Sequence, residues 1–159
     1  MGAAIGFNDA DSIEWTPQMS TEIPHGFEPH VRKSPFSDPW EPLYARTTAD
    51  AITLGLRVGK PHTNGRGRIH GGLIAALADN TMGYNCAQAL GWASSLVTIN
   101  LAVDYLGNGE IGQWLSVEGE VIKAGHTICF AQSLIRVDDV IIARANGTFR
   151  VVKKTPPKG

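Results

Sequence analysis

Asp79 closes an apolar run, "RIHGGLIAALADN" at residues 68–80, that opens with His-Gly-Gly. A carboxylate withdrawn from water is costly unless it has a partner, and aspartate is a poor helix former. No lysine or arginine lies within a turn of Asp79 in either direction. An aspartate in this setting without a base to pair fits a chemical role, as a general base or a nucleophile. Gly71 and Gly72 sit where the same run turns helical, so their N–H groups lack intrahelical acceptors and carry the positive end of the helix dipole. Such amides can hold a developing oxyanion, and glycine lets a ligand carbonyl approach the backbone. Alone, the two glycines would merely lead the chain into a helix. Asp79, about two turns further on, supplies a second reactive group on the same helix.

These groups require a helix to carry them. Residues 73–90 contain no proline and are rich in Ala and Leu, which predicts a helix of about five turns, apolar nearly all round in its first half and so buried at the centre of the domain. Gly72, Ala76, Asp79, Gly83 and Ala87 follow helical spacing, which places the carboxylate on a stripe of small side chains along which something thin or closely packed runs. The loop before the helix, "GKPHTNGRGRIH", is glycine-rich but lacks the lysine and hydroxyl of a P-loop and the spacing of a dinucleotide fingerprint.

The rest of the chain reads as strands. "LYARTTADAITLGLRV" holds two short runs, and after the helix "VTINLAVDYL", "WLSVEGEVIK", "TICFAQSLIR" and "VIIARANGTFRVV" alternate with period two. In the first of these, alternation puts Val97, Ile99, Leu101, Val103 and Tyr105 on one face and Thr98, Asn100 and Asp104 on the other. Short connections imply a four-strand antiparallel meander completed by the two earlier strands. The fold class is therefore α+β, one long central helix against an antiparallel sheet of about five to six strands.

Six of the nine prolines fall in residues 1–42, with Trp15, Phe27, Phe36 and Trp40 among them, so that stretch reads as an extended arm packed on the domain, its aromatic Phe36 and Trp40 candidates to line a ligand pocket. Residues 43–153 form the domain, and 154–159 a frayed tail. A net charge of −1 with scattered basic residues argues against nucleic acid and anionic membranes. No basic-then-apolar leader and no membrane-length apolar stretch occur, so a cytoplasmic location is expected. Cys86 and Cys129 read as buried free thiols. His25 and His30 have no cysteine near them to complete a ligand set, so no metal is expected.

The string "HTNGRGRIHGGLIAALADN", followed by "VTINLAVDYL" and "KAGHTICFAQSLI", resembles the hot-dog fold acyl-CoA thioesterases, specifically the PaaI-like (phenylacetate-pathway) branch of the 4-hydroxybenzoyl-CoA thioesterase superfamily. The resemblance spans roughly residues 42–152 and rests on an ordered set: Asn64, Gly67, His70-Gly71-Gly72, then Asp79. It implies a sheet wrapped around the helix, hydrolysis of an acyl-CoA to a carboxylic acid and CoA, no metal or redox cofactor, and a homodimer with shared active sites, usually a dimer of dimers. By the same resemblance Asp79 activates water or attacks directly, the Gly71 N–H polarises the thioester carbonyl, Asn64 orients water or the leaving thiolate, and Thr98 holds the water. His70 and Gly72 contribute to substrate placement, His70 in a structural role. Arg66, Arg68, Lys123 and Arg144 are candidates for gripping the CoA phosphates, with His126 where relatives often carry a basic residue. The alternatives are a hot-dog enoyl-CoA hydratase, whose acid and histidine stand in the opposite order, and an acyl-CoA-binding sensor, which usually carries a DNA-binding segment that residues 1–42 do not suggest.

Overall fold

The computed structural model describes residues 22–153. The beginning of the arm and the tail lie outside the described residues. One helix, α1 (Gly71–Ala89), carries the apolar run. It starts at His70, whose extended backbone (φ −72°, ψ 128°) and ring nitrogen Nδ1 cap it by accepting the Gly72 N–H at 2.9 Å. It stops at Gly91, which is left-handed (φ 62°), while the Trp92 N–H reaches back to the Ala87 carbonyl at 2.8 Å.

Seven strands form a single antiparallel sheet: β1 (Glu28–Pro29), β2 (Tyr44–Thr47), β3 (Ile52–Arg57), β4 (Ser94–Tyr105), β5 (Trp114–Ala124), β6 (Ile128–Val137) and β7 (Val140–Lys153). Their order is β1-β2-β3-β5-β6-β7-β4. The strand beyond the expected five to six is β1, a two-residue strand from the proline-rich arm that pairs with β2. Its shortness follows from the prolines, which cannot donate to a ladder. The meander is three strands long, not four. β4 pairs with β7 at the far edge instead of with its sequence neighbour β5, because residues 106–113 cross the end of the sheet, where the Leu106 and Gly107 N–H groups bond the Ile142 carbonyl and the Gly109 carbonyl accepts the Ile69 N–H.

The core lies between α1 and the concave face of the sheet. Leu73, Leu77 and Met82 of the helix pack with Leu54, Leu56, Leu115, Val117, Ile135 and Phe149. A buried amide fixes the helix to the sheet: Asn85 accepts the Ile52 N–H at 2.9 Å and donates to the Ile52 and Thr81 carbonyls at 2.8 Å each. On the opposite face the arm covers β3. Phe27 packs edge-on against Trp114, and both rings lie so close over Gly55 that a Cβ there would meet Trp114 at 2.5 Å.

Strict alternation in β4 fails at one residue. Thr98 pairs with Phe149 and Asn100 with Thr148, so Ile99 is an extra residue in a β-bulge. Before the bulge the even positions Leu96 and Thr98 face the helix, and after it the odd positions Leu101, Val103 and Tyr105 do. Val97 and Ile99, expected on the buried face with those odd residues, are instead 54% and 57% exposed. The bulge is what lets Thr98 and Tyr105 both reach α1.

Candidate active site

Asp79 sits on the half-buried side of α1, and the Thr98 hydroxyl donates to its Oδ1 at 2.8 Å. The bond fixes one carboxylate oxygen and leaves the other able to accept a proton. The two residues line one end of a cavity of about 360 Å³ that continues along the small-residue stripe past Gly83 and Ala87. Leu96 and Phe149 supply apolar wall, and Tyr84, Trp92 and Arg32 close the far end. The volume is in the range of a small-molecule pocket.

The N-terminus of α1 makes a second feature on the same chain. The Gly72 N–H is committed to His70 Nδ1, so of the two glycine amides only that of Gly71 has no acceptor among the described residues. Tyr105, which the sequence marked only as a strand residue, donates its hydroxyl to the Gly71 carbonyl at 2.8 Å and holds that peptide from behind. Accepting from Gly72 leaves the proton of a neutral His70 on Nε2 and makes Nδ1 unavailable as a base. Asn64 is built into the preceding loop: its Oδ1 accepts the N–H groups of Arg66 (2.9 Å) and Arg68 (3.3 Å), which leaves the Nδ2 donors for other work. Phe36 and Trp40 do not border the Asp79 cavity. With His70, Gly72 and Leu73 they line a separate cleft at the helix N-terminus.

His62, not singled out by the sequence, organises this end. Its Nδ1 accepts the Gly59 N–H at 2.8 Å, its Nε2 lies 3.1 Å from the Trp40 carbonyl, and its own carbonyl accepts the His70 N–H. The ring therefore ties the arm and the loop to the helix cap. Burial lowers its pKa below the ordinary value of 6.5, only partly offset by the backbone bonds, and burial lowers that of His30 as well. A proton added to Nδ1 would face the Gly59 N–H. Well above pH 6.5 both rings are neutral in either state and this contribution to stability is complete; as pH falls through 6.5 the unfolded chain takes up protons that the fold refuses, and stability is lost. Thermal denaturation should therefore show the melting temperature falling between pH 7.5 and 5.5, and His62→Ala should lower stability by about 2–3 kcal/mol and flatten that slope. An unchanged slope would assign the titration to another group.

The cationic candidates are dispersed. Arg68 is ion-paired with Glu110, and Arg144 with Asp104 at 2.8 Å. Arg144 lines a groove with Glu118 and Glu120. Arg66 stands exposed beside Asn64. Lys123 and His126 flank the β5–β6 turn, three strands from Thr98 along the row Thr98–Phe149–Cys129–Ala124, about 14 Å away. No single surface collects all five. Among the described residues no helix is long and apolar enough to cross a membrane.

Comparison with known proteins agrees with this architecture. Residues 66–143 match the family described as "Thioesterase superfamily". A Pseudomonas aeruginosa protein, "Putative esterase PA0474", is 34% identical over 81% of this chain and 97% of its own length. Mouse acyl-coenzyme A thioesterase 13 is 31% identical over 52% of this chain and 58% of its own. The solved PaaI protein of Escherichia coli shares the fold with a TM-score of 0.60 at 22% identity, over 65% of this chain and 74% of that one. With its long helix set against an antiparallel sheet, and with a relative matched along nearly its whole length, the chain belongs to the thioesterase superfamily and is a thioester hydrolase of hot-dog fold.

Proposed function

We propose that this protein hydrolyses acyl-CoA thioesters at sites shared between two copies of the chain. The observation that carries this reading is the separation of the two half-sites. Gly71 and Asp79 are eight residues apart on one straight helix, about 12 Å at 1.5 Å per residue, too far for one thioester group to touch both. A second chain brings them together if α1 of each runs antiparallel to the other, so that Asp79 of one faces the Gly71 amide and Asn64 loop of its partner. The sheet supports such a pairing: β4 is an edge strand of twelve residues with no neighbour on its outer side among the described residues. Long unpaired edges invite pairing.

In the assembled site Asp79 takes a proton from water as the oxygen attacks the thioester carbon. The Gly71 N–H holds the oxyanion, and collapse expels the CoA thiolate, which receives the proton from Asp79. Asn64 donates through Nδ2 to the water or the departing sulfur. Thr98 holds the carboxylate in line and can accept from the same water. The CoA portion comes from the thioesterase 13 relative, whose name specifies that substrate class.

A panel of aryl, short and long acyl-CoAs, followed by thiol release, tests the reading. Steady release from at least one member is expected, and release from none would end it. Thr98→Val, which keeps the shape and removes the hydroxyl, should lower kcat about 10- to 100-fold, the worth of a hydrogen bond to a charged group, with Thr98→Ser restoring most of it. Equal turnover by Val and wild type would show the bond to be incidental.

A further inference from the structure

The far end of the Asp79 cavity is not apolar. Arg32, in the proline-rich arm, lays its guanidinium over the Trp92 ring at 3.9 Å and within 5.8 Å of the Tyr84 centroid. None of its N–H groups meets an acceptor among the described residues, although Lys33 beside it is paired with Glu41 at 2.7 Å. Trp92 is held left-handed (φ 60°), a conformation rare for a bulky side chain, and this places its indole under Arg32. Ser94 and Ser95 also line this end, and their hydroxyls meet no acceptor among the described residues. Burial raises the Tyr84 pKa and keeps that phenol a donor. The cavity thus runs from a carboxylate, through small and apolar wall, to a stacked guanidinium with hydroxyl donors around it.

Resting on the acyl-CoA reading above, we propose that the acyl group carries a carboxylate at its distal end, and that Arg32 is the residue that selects it. The chemistry follows from charge and length. Asp79 repels the free carboxylate from the thioester end, and Arg32 receives it at the other, so the two charges orient the substrate along the stripe. Trp92's face is covered by the guanidinium, which disfavours an aromatic acyl group stacking there and leaves the donor edge for a planar anion. Asp79 to Tyr84 spans about 7.5 Å of helix, and Thr98 to Ser94 about 13 Å of strand. An extended acyl chain advances about 1.25 Å per bond, so roughly six to ten bonds separate the carbonyl from the terminal carboxylate.

Suberyl-CoA and octanoyl-CoA, matched in carbon count, provide the test. Wild type should show kcat/KM at least about 10-fold higher for suberyl-CoA. Arg32→Gln, which keeps a flat polar group and removes the charge, should lower kcat/KM for suberyl-CoA about 10- to 100-fold, chiefly through KM, while octanoyl-CoA changes less than about 3-fold. Arg32→Lys should recover part of the loss, because it restores charge without the fork. A wild-type preference for octanoyl-CoA would overturn the proposal. So would an equal loss on both substrates, which would place Arg32 on the CoA moiety; disappearance of that loss with 3′-dephospho-CoA thioesters would identify the phosphate as its partner. In either case octanoyl-CoA hydrolysis would leave the thioesterase reading standing, whereas no turnover of any thioester would end that reading first.

Discussion

Asp79→Asn should retain its fold and oligomeric state and lose about 10²- to 10⁴-fold in kcat, the range for removal of a general base. The substitution is isosteric. Its amide can still accept the Thr98 hydroxyl through Oδ1, so the cavity wall keeps its shape while the proton acceptor disappears. KM should change little, because the carboxylate acts on water and not on the bulk of the substrate. Circular dichroism and size-exclusion chromatography establish integrity, and thiol release gives the rate. Turnover within a few-fold of wild type would remove Asp79 from the chemistry and leave the proposed mechanism without a base.

The second large effect comes from mixing two inactive variants. Asp79→Ala removes the base. Asn64→Asp keeps the Oδ1 acceptor that Arg66 and Arg68 need and removes only the Nδ2 donor, so the loop stays formed. Each homodimer should be nearly inactive. Unfolded and refolded together in equal amounts, they should form about half mixed dimers, in which one site carries both lesions and the other carries neither. Roughly a quarter of all sites should then regain wild-type activity. Sites confined to one chain would each keep a lesion, and confirmed mixed dimers with no recovered activity would refute the shared-site model. A single result here decides whether the 12 Å between Gly71 and Asp79 is spanned by a second chain.

Much of this protein was legible in local sequence. The helix followed from composition and the absence of proline over residues 73–90, and its His70-Gly71-Gly72 start is backbone chemistry that operates within a few residues. Strand alternation located β4 to β7, since one face of each is half-buried and period two is its direct imprint. Asp79 stood out because a charge in an apolar run needs a reason, whatever the tertiary context. Three features were decided only by the folded chain. Sheet order was one: the next strand in sequence was not the next in space, because an eight-residue connection is long enough to cross the sheet end and short sequence separation does not reveal which edge is open. The bulge at Ile99 was another, since an inserted residue has the composition of its neighbours and shows only as a shift in register against β7. The last was the set of groups that meet from distant positions. Thr98 reaches Asp79 across nineteen residues, Tyr105 reaches Gly71 across thirty-four, and Arg32 stacks on Trp92 from the other side of the helix in sequence. Each local pattern is set by interactions between near neighbours, whereas these contacts exist only because core packing fixes α1, β4 and the arm in one arrangement.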